Sequence, residues 1–225
     1  MANACLFSGG KDSTLALHKA IGLGIKIDIL ITFISSNPDS YMFHYPNVRW
    51  TGMQAEALGI RQVFANTEGE KERELEDLER VLKENNVSAI VTGATYSAYQ
   101  AGRINRIAER NGMEHISPLW HIDPIEELDY ISDNFNAIIT SVSAEGFTSD
   151  MLGRRIDKGM IEKLKLLNSR YGANMLFEGG EAESFVLDAP LFKKRILIKS
   201  ARKELKPDSG RYIIEDAELM VKDKK

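Results

Sequence analysis

The sequence predicts an α/β protein, with a nucleotide-binding domain on a parallel sheet over residues 1–120 and a smaller α/β domain over 121–225. Three observations predict it. Short runs rich in Ile and Val alternate with amphipathic stretches, as βαβ units require. A glycine-rich hexapeptide, Ser8-Gly9-Gly10-Lys11-Asp12-Ser13, stands between an apolar run at 4–7 and a helical stretch at 14–20. Pro118 and Pro124 then bracket a segment near Trp120 where the preceding helical pattern cannot continue.

In the first half, strands are expected at 3–7, 27–33, 61–65 and 89–92, and helices at 12–23, 48–58, 71–84 and 99–111. The helix at 71–84 shows the pattern: Leu75, Leu78 and Leu82 share one face, while Glu76, Asp77, Glu79 and Lys83 lie elsewhere and form a solvated surface. The second half is less regular. It predicts helices at 124–134 and 158–171, the latter burying Ile161, Leu164, Leu166 and Leu167, and strands at 137–142, 175–177, 195–199 and 212–221.

A chain of 225 residues buries a sizeable core without staples. Cys5, the single cysteine, lies inside the first expected strand, which excludes an internal disulfide and points to a reducing, cytoplasmic setting. No apolar run approaches the ~20 residues that span a bilayer, so no membrane partner is expected. A net charge of −4 gives no broad attraction to nucleic acid. His18, His115 and His121 have no ligand spacing with one another or with Cys5, which argues against structural zinc.

The hexapeptide has the chemistry of a phosphate loop. Gly9 and Gly10 let the backbone turn and approach an anion, and the N–H groups opening the next helix supply donors at a positive dipole end. Lys11 would add a mobile cation; Ser8, Ser13 and Thr14 would add hydroxyls. Asp12 either caps the helix or helps hold a divalent cation carried by the nucleotide. The loop is shorter than the G-x-x-x-x-G-K-[ST] loop of kinases and GTPases, so a different ATP chemistry is expected.

A second polar cluster, Glu178-Gly179-Gly180-Glu181-Ala182-Glu183-Ser184, precedes the apolar Phe185-Val186-Leu187. Carboxylates so close raise one another's pKa and demand cationic partners, so the cluster is either solvated or functional. Its paired glycines suggest backbone close to a ligand. Elsewhere, Tyr41, Phe43, Tyr45 and Trp50 either wall a pocket or pack. His44 is either a substrate contact or a structural histidine. Arg103 and Arg106, at (i, i+3), either face one anion or pair with Glu109 on the surface.

The hexapeptide resembles the SGG-x-DS loop of the PP-loop (HUP-like) ATP pyrophosphatases, which cut ATP between the α- and β-phosphates. The stretch from Glu178 to Lys194 is similar to the EGGEYET-x-VLDAPLF-KK signature of the diphthine–ammonia ligase branch of that family, with Ala182 in place of an aromatic and Ser184 in place of Thr. Ser40 to His44, Gly93-Ala94 with Tyr99, Gln100 and Arg103 to Arg106, and Pro118-Leu119-Trp120 also fit that branch.

The resemblance implies ATP-dependent amidation of diphthine, a modified histidine of translation elongation factor 2, by free ammonia through an acyl-adenylate, with Mg²⁺ accompanying ATP. On that basis Ser8 to Thr14 and Gly93 would bind the nucleotide, with Asp12 toward Mg²⁺. Tyr41, His44, Tyr99, Arg103, Glu178, Gly180, Glu181 and Glu183 would meet the substrate. Lys11, Glu181 and Glu183 would be catalytic, Lys11 at the phosphates. Either Glu181 or Glu183 would deprotonate ammonium, or the cluster would bind the trimethylammonium of diphthine together with aromatic faces such as Tyr41, Phe43 or Tyr99. Two other readings compete: an RNA-modifying PP-loop enzyme, for which one strand-buried cysteine is poorly suited, and a non-catalytic adenine-nucleotide sensor.

Overall fold

A computed structural model describes residues 1–35, 47–68, 73–96 and 98–222, without the side chains of 98–100. The chain divides into two compact units. The first comprises Met1–Ser8 and Asp12–His121; the second comprises Gly9–Lys11 and Ile122–Lys225.

The first unit is a parallel sheet of β1 (Ala2–Leu6), β2 (Ile29–Ser35), β3 (Arg61–Thr67), β4 (Val87–Val91) and β5 (Glu114–Ile116), in the order β3-β2-β1-β4-β5. Its crossovers are α1 (Lys11–Gly22), α2 (Thr51–Leu58), α3 (Arg73–Glu84) and α4 (Ala98–Arg110). Neighbouring strand residues Ala4 and Cys5, or Ile29, Leu30 and Ile31, point to opposite faces, yet all are buried. Both faces are therefore covered, as a parallel sheet with crossover helices requires. On one side Leu78, Val81 and Leu82 of α3 and Ile104, Ile107 and Ala108 of α4 join Ala4, Ile29, Ile31 and Phe33 in a single core.

The order reverses at β1, which pairs with β2 on one edge and β4 on the other. Ligands of open α/β sheets bind beyond the carboxyl ends of the strands at such a reversal, which is where the hexapeptide follows β1. The expected helix over 48–58 is a 3-10 turn at Val48–Trp50 leading into α2. β5 has no counterpart among the expected strands: three residues, none more than partly buried, give no periodicity to read.

The second unit is an antiparallel sheet, β7-β6-β9-β8, formed by β6 (Asn136–Val142), β7 (Ala182–Asp188), β8 (Lys194–Lys206) and β9 (Ser209–Val221). Helices α5 (Pro124–Asn134) and α6 (Lys158–Tyr171) accompany it. Asp123 caps α5, its carboxylate accepting from the N–H groups of Ile125 and Glu126, with Pro124 preset for the first turn. Asp157 caps α6 through the N–H of Met160.

Two expectations for this unit are overturned. The strand expected at 175–177 is a turn: Phe177 adopts φ +70°, and its buried ring packs edge-on against Phe147, 6.1 Å away. Leu176 and Phe177 are apolar because a turn carries them inward, not because a strand does. Leu166, expected to be buried, is 70% exposed beside the buried Leu167. Among the described residues no helix is long and apolar enough to cross a membrane.

Candidate active site

The turn from β1 into α1 uses Gly9 at φ +78°, a conformation that any residue with a Cβ resists. The hydroxyls of Ser8 and Ser13 lie 3.1 Å apart and share a hydrogen bond. Asp12, in the first turn of α1, is half-buried. Thr14 is fully buried; its carbonyl accepts from the Nδ1–H of His18 at 2.8 Å, while its Oγ1 has no hydrogen-bond partner among the described residues. Gly93, two residues beyond β4, comes so close to the start of α1 that a Cβ there would sit 2.8 Å from the carbonyl carbon of Asp12 and the nitrogen of Ser13. Only a glycine lets β4's exit touch the loop backbone.

Gly9–Lys11 belongs to the second unit, and its hydrogen bonds give the reason. Val186 N–H donates to the Gly9 carbonyl at 3.0 Å, and Lys11 N–H donates to Ser184 Oγ at 3.0 Å. The loop segment thus lies along β7, an edge strand of the antiparallel sheet. Lys11 follows inward. Its side chain is fully buried, with Nζ donating to the Leu176 carbonyl at 2.8 Å, 5.1 Å from the centre of the Phe177 ring and 3.9 Å from Glu127 Oε1. The expectation of a mobile cation fails here, because a desolvated ammonium must stay with the partners that offset its lost hydration. In this structure Lys11 is held by these partners inside the second unit.

The acidic cluster resolves into unlike parts. Glu181 folds back on its own turn: Oε1 accepts from Asn174 N–H at 2.7 Å and Oε2 from Gly179 N–H at 2.9 Å. A Cβ at position 179 would lie 2.7 Å from that carboxylate, and Gly180 sits at φ +80°. The paired glycines, expected to make room for a ligand, make room for Glu181 and its turn. Gly180 is further tied by Ser143 Oγ, which donates to its carbonyl. Glu178 is half-buried.

Glu183 differs. It stands near the start of β7 opposite Ser141 of β6, and Ser141 faces Arg211 of β9, so the three stand in one row across neighbouring strands. Although the residue keeps some exposed surface, Oε2 is buried and has no hydrogen-bond partner among the described residues. Burial pushes the carboxyl up to about 8, with the Arg211 charge opposing that rise without cancelling it. A carboxyl at that value takes and gives protons near neutrality, as an ordinary glutamate does not.

Of the remaining expected residues, Tyr41, His44, Phe43 and Tyr45 lie outside the described residues, as does the side chain of Tyr99. Arg103 is buried in α4 whereas Arg106 is exposed, so they do not share one open face. Cys5 is buried, which pushes its thiol up to about 12 and leaves no thiolate for sulfur chemistry. Among the described residues no group of three or more His, Cys, Asp or Glu side chains is placed to hold a metal ion by itself.

Neither Glu127 nor Arg211 stands out in the sequence. Glu127 lies beside Leu128 in α5, and its pattern carries one clue: it falls four residues before Ile131, on the buried face. Arg211 stands in a charged hairpin with nothing to mark it.

A five-stranded parallel sheet flanked by helices, with a glycine- and serine-bearing turn at its reversal point, defines an α/β protein of the open-sheet class and is consistent with a PP-loop domain. Comparison with known proteins is more specific. Family models for the diphthamide synthase N-terminal domain and C-terminal domain match residues 1–115 and 123–220. A human protein named diphthine–ammonia ligase is 33% identical over 225 residues, covering 89% of this chain and 84% of that protein. Its namesake in Bos taurus is 32% identical over the same shares, and that of Schizosaccharomyces pombe is 31% identical over 97% of this chain and 39% of its own length. A solved structure described as a predicted subunit of tRNA methyltransferase from Methanocaldococcus jannaschii aligns over 84% of this chain and 98% of that one, with a TM-score of 0.45 and 18% identity. On the family models and the relatives, the chain belongs to the diphthamide synthase family.

Proposed function

We propose that the protein is an ATP-dependent ligase that amidates diphthine, the modified histidine of translation elongation factor 2, with free ammonia. The first unit binds ATP and the second selects the substrate carboxylate and ammonia. The substrate carboxylate attacks the α-phosphorus of ATP, the bond to the β-phosphate oxygen breaks, and pyrophosphate leaves. Ammonia then attacks the acyl carbon, AMP departs with the electron pair of the C–O bond, and the surplus proton on nitrogen goes to a base.

The observation that carries this reading is the pairing of Gly9–Lys11 with Ser184 and Val186. It joins the phosphate-loop segment to the strand that bears Glu183. Ser8, Asp12, Ser13 and Thr14 and the N–H groups of the loop receive the phosphates. A magnesium ion that arrives with a nucleotide needs only one or two protein carboxylates, and the half-buried Asp12 suits that donor set. The ion would supply charge neutralisation on the phosphates.

Glu183 is the proton acceptor, since a carboxyl held at about 8 is matched to removing a proton from ammonium or from the attacked nitrogen. Glu181, with both oxygens on backbone N–H groups, shapes the turn ahead of it, and Glu178 and Gly180 complete the substrate side. Gly93 keeps the start of α1 in register with the nucleotide, while Arg103, Tyr41, His44 and Tyr99 remain assigned to the substrate. Incubation with ATP, Mg²⁺, ammonium and diphthine-bearing elongation factor should yield AMP, pyrophosphate and amide in equal amounts. Release of ADP would overturn the mechanism.

A further inference from the structure

Three aromatic rings of the first unit are stacked in the open. Tyr96 follows β4, and Trp120 and His121 follow β5, so all three stand beyond the carboxyl ends of parallel strands. The His121 imidazole stacks on both neighbours: its centroid is 5.6 Å from that of Tyr96 at 12°, and 4.9 Å from that of Trp120 at 21°. His121 takes φ +60°, a left-handed conformation that costs free energy in any residue with a Cβ. Two backbone bonds hold it there, His121 N–H to the Thr95 carbonyl at 3.0 Å and Trp120 N–H to the Ser117 carbonyl at 3.1 Å.

Strain of this kind is repaid in a core by burial, and here it is not. Tyr96 stays 43% exposed and Trp120 38%, so the stack leaves ring surface facing water. Other rings of the chain are as exposed, Phe64 and Tyr171 among them, but these three are stacked into one contiguous aromatic surface. The assignment of the stack rests on the amidation reading, in which the substrate bears a permanent quaternary ammonium. That group has no N–H to donate, so hydrogen bonding cannot select it, whereas the negative face of an aromatic ring attracts it without a donor.

We propose that Tyr96, His121 and Trp120 form the seat for the quaternary ammonium of the substrate. The imidazole spaces the two larger rings and fixes their orientation; Tyr96 and Trp120 supply the π surface.

The test uses the full chain in a Trp50→Phe background, which leaves Trp120 as the fluorescent tryptophan. Choline should quench Trp120 saturably at constant ionic strength, and its neutral isostere 3,3-dimethylbutanol should not. Tyr96→Ala should weaken choline binding at least fivefold. In turnover, Trp120→Ala should raise KM for the diphthine-bearing factor at least tenfold without a matching rise in KM for ATP, and Trp120→Phe should recover most of the loss, which a folding defect would not. Equal quenching by the neutral isostere, or a rise in KM for ATP as large as that for the factor, overturns the seat; the second result would mean that the rings stack on adenine. The two proposals fail separately. A protein that binds choline through Trp120 but makes no amide refutes the ligase reading alone, and one that makes amide with an unchanged KM in Trp120→Ala refutes the seat alone.

Discussion

Two charged side chains of the second unit are buried in opposite ways. Lys11 has a carbonyl, a carboxylate and an aromatic face around its ammonium. Glu183 has a carboxylate oxygen with no hydrogen bond among the described residues, and an arginine whose charge only partly offsets its burial. A buried charge whose partners are all present holds structure together, since removing it would strand those partners. A buried carboxyl left unsatisfied makes no such contribution, and it persists where its raised proton affinity is of use. On the proposed reading the motif lysine belongs with the structure, and the glutamate near the head of β7 with the chemistry.

The sharpest way to break that contrast is Glu183→Gln. Loss of a general base should lower turnover by about 10²–10⁴-fold with no loss of stability. Activity of the unmodified protein should rise with pH as Glu183 gives up its proton near 8, and that limb should vanish in the variant. Stability moves the other way. Because the folded value lies above the ordinary 4.5, the folded protein keeps a proton that the unfolded chain releases, so this group's contribution is complete below about 4.5, is lost as pH climbs to about 8, and is level beyond. Unfolding free energies from urea titrations should fall from pH 5 to about 8, by up to about 1.4 kcal/mol per pH unit, and Glu183→Gln should remove that slope.

Lys11→Met tests the other side. It removes the buried ammonium that donates to the Leu176 carbonyl and stands 3.9 Å from Glu127, and should cost about 3–5 kcal/mol in urea unfolding. A catalytic lysine would instead lose turnover at full stability. Glu181→Ala removes two charge-assisted bonds to backbone and should cost about 1.5–3 kcal/mol, with a milder loss of rate as the turn before Glu183 loosens. Asp123→Ala, which uncaps the helix carrying Glu127, should cost about 1 kcal/mol and leave KM for ATP alone. If Asp123→Ala weakened ATP binding as much as Lys11→Met, the separation of structural from chemical charges would fail.

The sequence is legible where its information is local. The parallel strands β1 to β4 and the turn between β1 and α1 are written in contiguous runs, apolar residues then glycines then a helical period, and these can be placed within a few residues; β5, three residues long, cannot. The turn at Met175 to Phe177 cannot, since three apolar residues bury equally well from a strand or from a left-handed turn. β7 is hidden because its first half carries Glu183 and Ser184, polar residues whose partners lie on other strands and on the loop. The acidic motif is visible as a pattern, yet its division into a brace and a base depends on which N–H groups reach Glu181 and which fail to reach Glu183. Sequence places Lys11 at the phosphates because its neighbours along the chain are a phosphate loop; its neighbours in space lie 165 residues on.

That last separation bears on how the chain comes together as it is made. Lys11 emerges at the start of synthesis, but the carbonyl it binds comes 165 residues later, and the serine that receives its N–H comes 173 residues later. Contacts of such span carry a large loop-closure cost and form late. The peptide at the phosphate turn must wait, unpaired, until nearly the whole polypeptide is available. Pairing of Gly9–Lys11 and completion of the C-terminal sheet then become a single event, so a nascent chain stalled before β7 lacks this pairing even when β1 to β5 have been made.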